Sequence, residues 1–213
     1  MVMDIKFQEL SITLLPSGAL YIHDNETLVL ADLHLGKGVL LQDSGVPLVH
    51  QIDEKTIGKL ESDLRVYSPK QCIICGDLVH AKSRNIPNQL RWFSSRMSVF
   101  NCRFILTVGN HDVNEYEAYI PDVDLYDSFQ FDGIQFIHEP PTSGVYISGH
   151  VHPGVKIKKG RLINHYKAFA VSDNGIICPS FGETAGLYSK LFDGFNYYFI
   201  KHQELHTFIR DKL

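Results

Sequence analysis

Three short, unbroken apolar runs alternate with two longer segments of helical character in the first half of the sequence. The runs are Thr27–Ala31, Gln71–Cys75 and Arg103–Val108. Apolar residues recur at helical spacing in Val49–Val66, and Asn88–Val99 is predicted as a second helix. Unbroken apolar runs of strand length are typical of strands buried on both faces. Strands and helices in this order predict βαβ units and a mostly parallel sheet.

The sequence after about residue 120 is rich in closely spaced strand segments. Turn signals separate several of them, the strongest being Asp173-Asn174-Gly175. The strands predicted here are Ser128–Phe131, Ile134–His138, Val145–Ser148, Ala168–Ser172, Ile176–Pro179, Asn196–Ile200 and Glu204–Ile209. At the start of the chain, Phe7–Leu15 and Ala19–Ile22 are predicted to form a hairpin. Two halves of this kind predict two sheets packed face to face with helices outside, in a single domain over residues 1–213.

Composition excludes several classes of protein. The chain has 213 residues, of which 44% are hydrophobic and 21% charged, so it is neither disordered nor collagen-like. Its apolar runs are too short to span a bilayer, and its formal net charge of −4 argues against a simple basic coat for nucleic acid. Cys72 and Cys75 form one C-x-x-C on a predicted strand, where they point to opposite faces and are expected in the core. Few cysteines and no signal peptide suggest the cytoplasm.

Side chains of metal-ligating type follow five of the predicted strands. They are Asp32 and His34, Asp77, Asn110 to Asp112, His138, and His150 with His152. Ligand sites of α/β sheets lie at the carboxyl ends of the strands, so these residues can converge in space. Each motif alone is an ordinary loop more often than a site, but five in this order favour a metal centre. Asp, Asn and His without Cys suit Mn, Fe, Zn or similar ions, and a pair of such ions is the usual clamp for phosphoester hydrolysis.

The ordered set D-x-H, G-D, G-N-H-D, H and G-H-x-H resembles the calcineurin-like metallophosphoesterase superfamily. The resemblance implies an α/β fold, a four-layer αββα sandwich of two mixed sheets, with a dinuclear metal centre. It assigns one metal to Asp32, His34, Asp77 and His152, and the other to Asp77, Asn110, His138 and His150. It further implies in-line attack by a metal-bound hydroxide, with His111 protonating the leaving group and Asp112 orienting His111 and raising its pKa.

Longer segments are similar to the ligase-associated DNA damage response endonuclease family, also labelled PdeM-type phosphoesterases. These segments are Ala31–Gly38, Gly45–Pro47, Gly76–Ala81, His138–Pro140, Gly149–Pro153 and Pro179–Leu187. The similarity implies a phosphodiesterase or nuclease with two divalent ions, Mn first and Fe or Zn as alternatives. It also implies DNA as substrate, a role in DNA repair, and association with a DNA ligase and a helicase.

Several other residues are candidates for substrate contacts. Lys37, His80 and Arg84 follow the first two motifs and are expected to contact phosphate groups. Glu183 is a candidate to hold a ligand histidine, and the basic run Lys156 to Arg161 is predicted as an exposed turn able to steer a nucleic-acid backbone. Two alternative functions stay open from the sequence: a phosphomonoesterase or nucleotide hydrolase, and a non-catalytic interaction scaffold on the same fold.

Overall fold

The computed structural model describes residues 1–37, 50–80, 86–112 and 116–208. The first half forms a seven-stranded mixed sheet whose strands are in chain order across it. The strands are β1 (Met3–Phe7), β2 (Leu10–Leu14), β3 (Leu20–Ile22), β4 (Thr27–Leu30), β5 (Gln71–Cys75), β6 (Arg103–Thr107) and β7 (Val123–Tyr126). Strands β1 to β4 pair antiparallel and β4 to β7 pair parallel. The crossover helices α1 (His50–Tyr67) and α2 (Ile86–Met97) account for the parallel pairings of β4 with β5 and of β5 with β6. The connection from β6 to β7 contains the 3-10 turn Tyr116–Ala118.

The second half forms an eight-stranded mixed sheet. Its strands are β8 (Ser128–Phe131), β9 (Ile134–Ile137), β10 (Tyr146–Ser148), β11 (Gly154–Lys159), β12 (Leu162–Val171), β13 (Gly175–Ile177), β14 (Asn196–Lys201) and β15 (Glu204–Phe208). The spatial order is β15-β14-β12-β13-β10-β9-β8, and β11 lies outside this path, paired with β12. Strand β10 is parallel to both β9 and β13, and the other pairs are antiparallel. The prediction of an α/β fold with two mixed sheets is confirmed.

Alternation along the strands builds the layers. On β4, Leu28 and Leu30 pack with the two helices, while Val29 packs between the sheets. The same alternation separates Cys72 from Cys75, which lie in different clusters and are both fully buried. The predicted burial of the C-x-x-C on opposite faces is therefore confirmed. Both α-helices of the described ranges cover the outer face of the first sheet.

Among the described residues, strand and loop segments cover the outer face of the second sheet. Its buried residues, such as Tyr197 and Phe199, pack with Val155 of β11 and with side chains of residues 191–195. In the described part of the second half, the helical element is the short 3-10 turn Tyr116–Ala118. A strand and a loop therefore take the place of a helical layer on this face.

Several predicted elements differ from the observed ones. The predicted first strand of the opening hairpin, Phe7–Leu15, is observed as β2. A turn at Gln8, which has a left-handed φ of 52°, separates it from β1, which was not predicted. Strand β12 starts six residues earlier than the predicted Ala168, because it pairs with β11 as well as β13. Strands β7 and β11 were not predicted. The last predicted strand reaches Ile209, which lies outside the described residues, as does Val49. No helix of the described ranges is long and apolar enough to cross a membrane.

Candidate metal centre

The five predicted loops converge at one edge of the two packed sheets. Asp32 and His34 follow β4, Asp77 follows β5, and Asn110 follows β6; from the second sheet, His138 follows β9, and His150 and His152 follow β10. Asp32, His34, Asp77 and His138 are buried, with at most 3% of their surface exposed. Asn110 and His150 are exposed, so the cluster opens to solvent on their side.

One group of donors surrounds the Nε2 atoms of His34 and His152, which lie 3.3 Å apart. The His152 Nε2 atom is also 3.3 Å from Asp32 Oδ1, and His34 Nε2 is 3.7 Å from Asp77 Oδ2. Burial, followed by the neighbouring His152, lowers the pKa of His34 to about 2. His34 is therefore neutral, which is the form of imidazole that binds metal.

A second group lies on the other side of Asp77. His138 Nε2 is 2.9 Å from Asn110 Oδ1, 3.0 Å from His150 Nδ1 and 3.6 Å from Asp77 Oδ1. The Asn110 oxygen is 3.1 Å from His150 Nδ1. Burial raises the pKa of Asp77, while His138 opposes that shift. The two Asp77 oxygens thus face different donor groups.

These donors fit a pair of divalent cations. Ligand atoms about 2.1 Å from a shared ion are separated by about 3.0–3.5 Å, close to the spacings within both groups. Asp32 Oδ1 is fully buried and has no hydrogen-bond partner among the described residues. A cation would satisfy the lone pairs of this oxygen and of the His34 and His152 Nε2 atoms, which lie 3.3 Å apart. Asp32, His34 and His152, and separately Asp32, Asp77 and His138, bring ligand atoms within 4.8 Å of one another.

Backbone conformation aims these side chains inward. Five of the seven predicted ligands have left-handed φ angles between 49° and 64°: Asp32, His34, Asp77, His150 and His152. Such angles are uncommon for residues other than glycine and concentrate at functional sites. Hydrogen bonds hold the conformation, since the Asp32 and His34 amides donate to the carbonyls of Gly76 and Asp77 at 3.1 and 2.9 Å.

The glycines beside the ligands permit close packing. A Cβ atom on Gly76, which has a φ of 80°, would overlap the His138 ring, and one on Gly109 would overlap the Asp77 carboxylate. A Cβ atom on Gly149 would lie 2.5 Å from Asp32 Oδ2. Of these three glycines, only Gly76 has a left-handed φ. The other two are required by their neighbours' side chains.

His111 lies at the rim of the first donor group. Its ring stacks on that of His80, with centroids 4.7 Å apart, and meets the His34 ring edge-on at 5.2 Å. Its amide donates to Asp77 Oδ1 at 2.8 Å. The structure thus brings together His80, His111 and the first donor group, as expected for groups near a bound phosphate.

Asp112 differs from the expectation that it orients His111. Its Oδ2 accepts from the amides of Gly109 and Asp77 at 2.8 and 2.9 Å, and Tyr116 donates its hydroxyl to Oδ1 at 2.9 Å. His111 Nδ1 has no hydrogen-bond partner among the described residues, so Asp112 does not hold it. Burial raises the pKa of Asp112 to about 6. Asp112 binds the backbone of two ligand loops instead.

The remaining predicted contacts have mixed outcomes. The Lys37 amide donates to the His34 carbonyl at 3.2 Å, which places its backbone next to the site. Arg84 and the Gly45–Pro47 segment lie outside the described residues. Glu183 does not hold a ligand histidine: its Oε1 is 2.6 Å from Lys59 Nζ.

Two lysines that the sequence did not indicate hold a loop that contacts the site. Lys167 Nζ donates to the Ser180 and Gly182 carbonyls at 2.8 and 2.5 Å, and Lys59 Nζ donates to the Phe181 carbonyl at 2.8 Å. The Gly182 amide in turn donates to the Asp32 carbonyl at 3.0 Å. Burial lowers the pKa of Lys167 to about 8. Such contacts between distant segments leave no local sequence pattern.

Comparisons with known proteins agree with this geometry. A comparison with curated protein sequences gives no significant match. Among solved structures, a nuclease from Pseudomonas putida, MPE, superposes with a TM-score of 0.79 at 22% identity, covering 98% of this chain and 100% of that one. The E. coli phosphoesterase Yfce gives a TM-score of 0.41 at 12% identity, covering 84% of this chain and 95% of that one. A sequence profile of calcineurin-like phosphoesterases matches residues 26–168. That match spans more than half of the sequence, so this chain is a metallophosphoesterase that belongs to the calcineurin-like phosphoesterase family.

Proposed function

We propose that the protein is a phosphodiesterase that cleaves DNA with two divalent cations, Mn²⁺ being our first candidate. The observation that carries this proposal is the pair of donor groups on either side of Asp77, with its Oδ2 3.7 Å from His34 and its Oδ1 3.6 Å from His138. We assign one cation to Asp32, His34, Asp77 and His152, and the other to Asp77, Asn110, His138 and His150. When bound, such cations supply Lewis acidity and lower the pKa of water at the site.

The protein's own residues perform the remaining tasks. The buried carboxylates of Asp32 and Asp77 provide negative charge, whereas Asn110 and the histidines add neutral donors, so the site keeps a net attraction for phosphate once cations are bound. His111 is fixed by the hydrogen bond that its backbone amide donates to Asp77 Oδ1 and by the stacking of its ring on His80. We assign to His111 the transfer of a proton to the leaving oxygen, and to Lys37, His80 and Arg84 contacts with phosphate oxygens.

Support for a diester substrate comes from the similarity of this chain to nucleases in fold and in sequence segments. The fold resembles that of a nuclease over nearly its whole length, and the sequence segments described above resemble endonucleases associated with DNA ligases. On this basis we also propose a role in DNA repair, in the cytoplasm, alongside a DNA ligase and a helicase. Pocket shape and nearby cations decide between a diester and a monoester, so this part of the proposal requires a direct test.

The test compares hydrolysis of bis(p-nitrophenyl) phosphate with hydrolysis of p-nitrophenyl phosphate in Mn²⁺. Nicked, gapped and single-stranded DNA and cyclic nucleotides complete the panel, with metal content measured in parallel. We expect the diester and at least one DNA to be cleaved faster than the monoester. Much faster monoester turnover would establish a phosphomonoesterase or nucleotide hydrolase. No turnover of any phosphoester by the metal-loaded protein would favour the non-catalytic scaffold.

Variants connect the activity to the site. Asn110→Ala and His111→Ala should each abolish most turnover, and His111→Ala should retain both metals because His111 is not among the proposed ligands. His206→Ala is the matched control, since this half-exposed histidine lies on β15 and stacks on Phe199, away from the ligand loops. Loss of metal from His111→Ala would contradict the assignment of that residue.

A further inference from the structure

A basic hairpin formed by β11 and β12 starts next to the candidate metal centre. Six residue pairs form its antiparallel ladder, from Gly154 opposite Lys167 to Lys159 opposite Leu162. Gly160, with a left-handed φ of 63°, closes the turn. At about 3.4 Å per residue, this ladder is about 17 Å long. Residues 154–167 contain four lysines and one arginine but no aspartate or glutamate, in a chain whose formal net charge is −4.

The two faces of the hairpin are different. Val155 and Ile157 alternate on one face and pack into the cluster on the outer side of the second sheet. Lys156 and Lys158 therefore lie on the opposite face, and both are exposed. The residue opposite Lys158 in the ladder, Ile163, is 58% exposed, so the outer part of this face is open among the described residues. Nearer the base, His165, opposite Lys156, contacts Ser189 at 3.3 Å. We call this exposed face, with Lys156 and Lys158, the lysine face.

The lysine face is continuous with the metal centre. Lys167, opposite Gly154, is on the same face at the base of the hairpin. Its ammonium group holds the Ser180 and Gly182 carbonyls, and the Gly182 amide bonds to the Asp32 carbonyl. At the same end, β11 begins two residues after the candidate ligand His152. The lysine face therefore begins beside the ligand loops and extends outward from them.

We propose that the lysine face binds the sugar–phosphate backbone of a nucleic acid on one side of the phosphate that is cleaved. This inference rests on the proposed function and adds a binding surface to it. Lys156 and Lys158 are two residues apart on one strand, so their Cα atoms are about 6.8 Å apart. The axial rise of a duplex is about 3.4 Å per phosphate of one strand, and neighbouring phosphates are farther apart than this rise because they also wind around the axis. The two lysines are therefore spaced to meet two neighbouring phosphates. A polynucleotide extends beyond the phosphate in the metal centre, and the part that extends along the hairpin would meet this face.

The test measures DNA cleavage and DNA binding as a function of salt. Lys156→Gln, Lys158→Gln and the double variant are compared with Lys6→Gln, an exposed lysine on the β1–β2 hairpin, three strands from β4. In Mn²⁺, initial rates on a single-stranded oligonucleotide give kcat/KM between 50 and 300 mM NaCl (assay range, from about threefold below to about twofold above physiological salt). Fluorescence anisotropy with the same labelled oligonucleotide gives Kd.

The expected size of the effect follows from counterion release. Each phosphate contact to a single strand contributes about 0.7 to the slope of log K against log salt. Each Lys→Gln substitution should therefore reduce the magnitude of the slope by about 0.7 and weaken DNA affinity by about fourfold at 0.15 M salt. The double variant should bind DNA about 14-fold more weakly than the wild type. Lys6→Gln should have the same slope, Kd and kcat/KM as the wild type. Circular dichroism and thermal melting check that every variant is folded.

The outcomes separate this inference from the proposed function. If the wild type hydrolyses neither DNA nor small diesters, the proposed function fails, and the anisotropy measurement still tests the lysine face. If the wild type cleaves DNA and the folded double variant has the same slope and Kd as Lys6→Gln, the lysine face is not a binding surface. Stronger binding of the lysine face to phosphatidylserine vesicles than to DNA at equal salt would also overturn the inference.

Discussion

Replacement of Asp112 distinguishes a residue that organises the backbone from one that orients a catalytic histidine. In Asp112→Ala, the amides of Gly109 and Asp77 lose their acceptor at 2.8 and 2.9 Å, and the Tyr116 hydroxyl loses its own at 2.9 Å. The Val79 amide loses its weaker hydrogen bond to Asp112 Oδ1, which is 3.4 Å long. Each buried donor left unpaired costs about 1–3 kcal/mol, so we expect a loss of about 4 kcal/mol in the free energy of unfolding.

Asp112→Asn should be milder, for a geometric reason. The amide oxygen can keep the two bonds that Oδ2 makes, and the Tyr116 hydroxyl can rotate to accept from the new NH₂ group. Only the charge and the long bond to Val79 are lost, which should cost about 1–2 kcal/mol. Urea denaturation of the metal-free protein measures both variants, and kcat on the bis-aryl phosphate reports the effect on the site.

Double-mutant cycles decide what Asp112 acts through. Asp112→Ala combined with Tyr116→Phe should show a coupling of about 1 kcal/mol in stability, because each substitution removes the hydrogen bond that the two side chains share. Asp112→Asn combined with His111→Ala should be additive in stability. The reasoning would be refuted if Asp112→Asn left the free energy of unfolding unchanged and shifted the pH–rate profile only when His111 was present.

Three further substitutions test other parts of the structure. Gly109→Ala should weaken Mn²⁺ binding, measured by calorimetry, at least tenfold, because the new Cβ atom would lie 2.5 Å from the Asp77 amide nitrogen and would overlap the Asp77 carboxylate. The control is Gly58→Ala on α1, where the Cβ atom has open space and the substitution should stabilise the protein by about 0.5–1 kcal/mol. Burial raises the pKa of Asp63 from 3.8 to about 6, so the stability that its protonated form provides below pH 4 is lost as the pH rises to 6. In denaturation curves, Asp63→Asn should therefore stabilise the protein at pH 7, by at most about 3 kcal/mol, and should have little effect at pH 4. Lys167→Met should lower the free energy of unfolding by about 2 kcal/mol, because two carbonyls lose a charged donor.

The convergence of the candidate ligands could be predicted from sequence because strand pairing carries them to one place. Strands β4, β5 and β6 pair in parallel, with Leu30 opposite Ile74 and Cys75 opposite Thr107, so the residues that follow them emerge at the same edge. The role of Asp112 could not be predicted in this way. Neighbours in the chain such as His111 and Asp112 point in different directions, and what each one contacts depends on how three separate loops stack.

Strand β11 was not predicted because its pattern of hydrophobic residues is weak. β11 reads as a basic turn, since four of the residues from Lys156 to Arg161 are charged and only one of its faces is buried. The signal available was the two-residue spacing of Val155 and Ile157, which is short for a confident assignment. The contact between Glu183 and Lys59 has no signal at all, because the two residues are 124 positions apart and meet only after the second sheet has packed on the first.

The left-handed backbone at the ligands explains why the site depends on the whole fold. A residue other than glycine in this conformation costs about 1–3 kcal/mol, with Asp and His at the lower end, and local sequence preference cannot supply that energy. The pairing of β4 with β5 continues beyond both strands through bonds from Asp32 to Gly76, His34 to Asp77 and Leu35 to Leu78, which impose the angles. Because folding alone places the donors, binding of cations needs little rearrangement and should add stability directly. At 100 times its Kd, a cation that binds only the folded state adds about 2.7 kcal/mol, so chelation should lower Tm without unfolding the protein at room temperature.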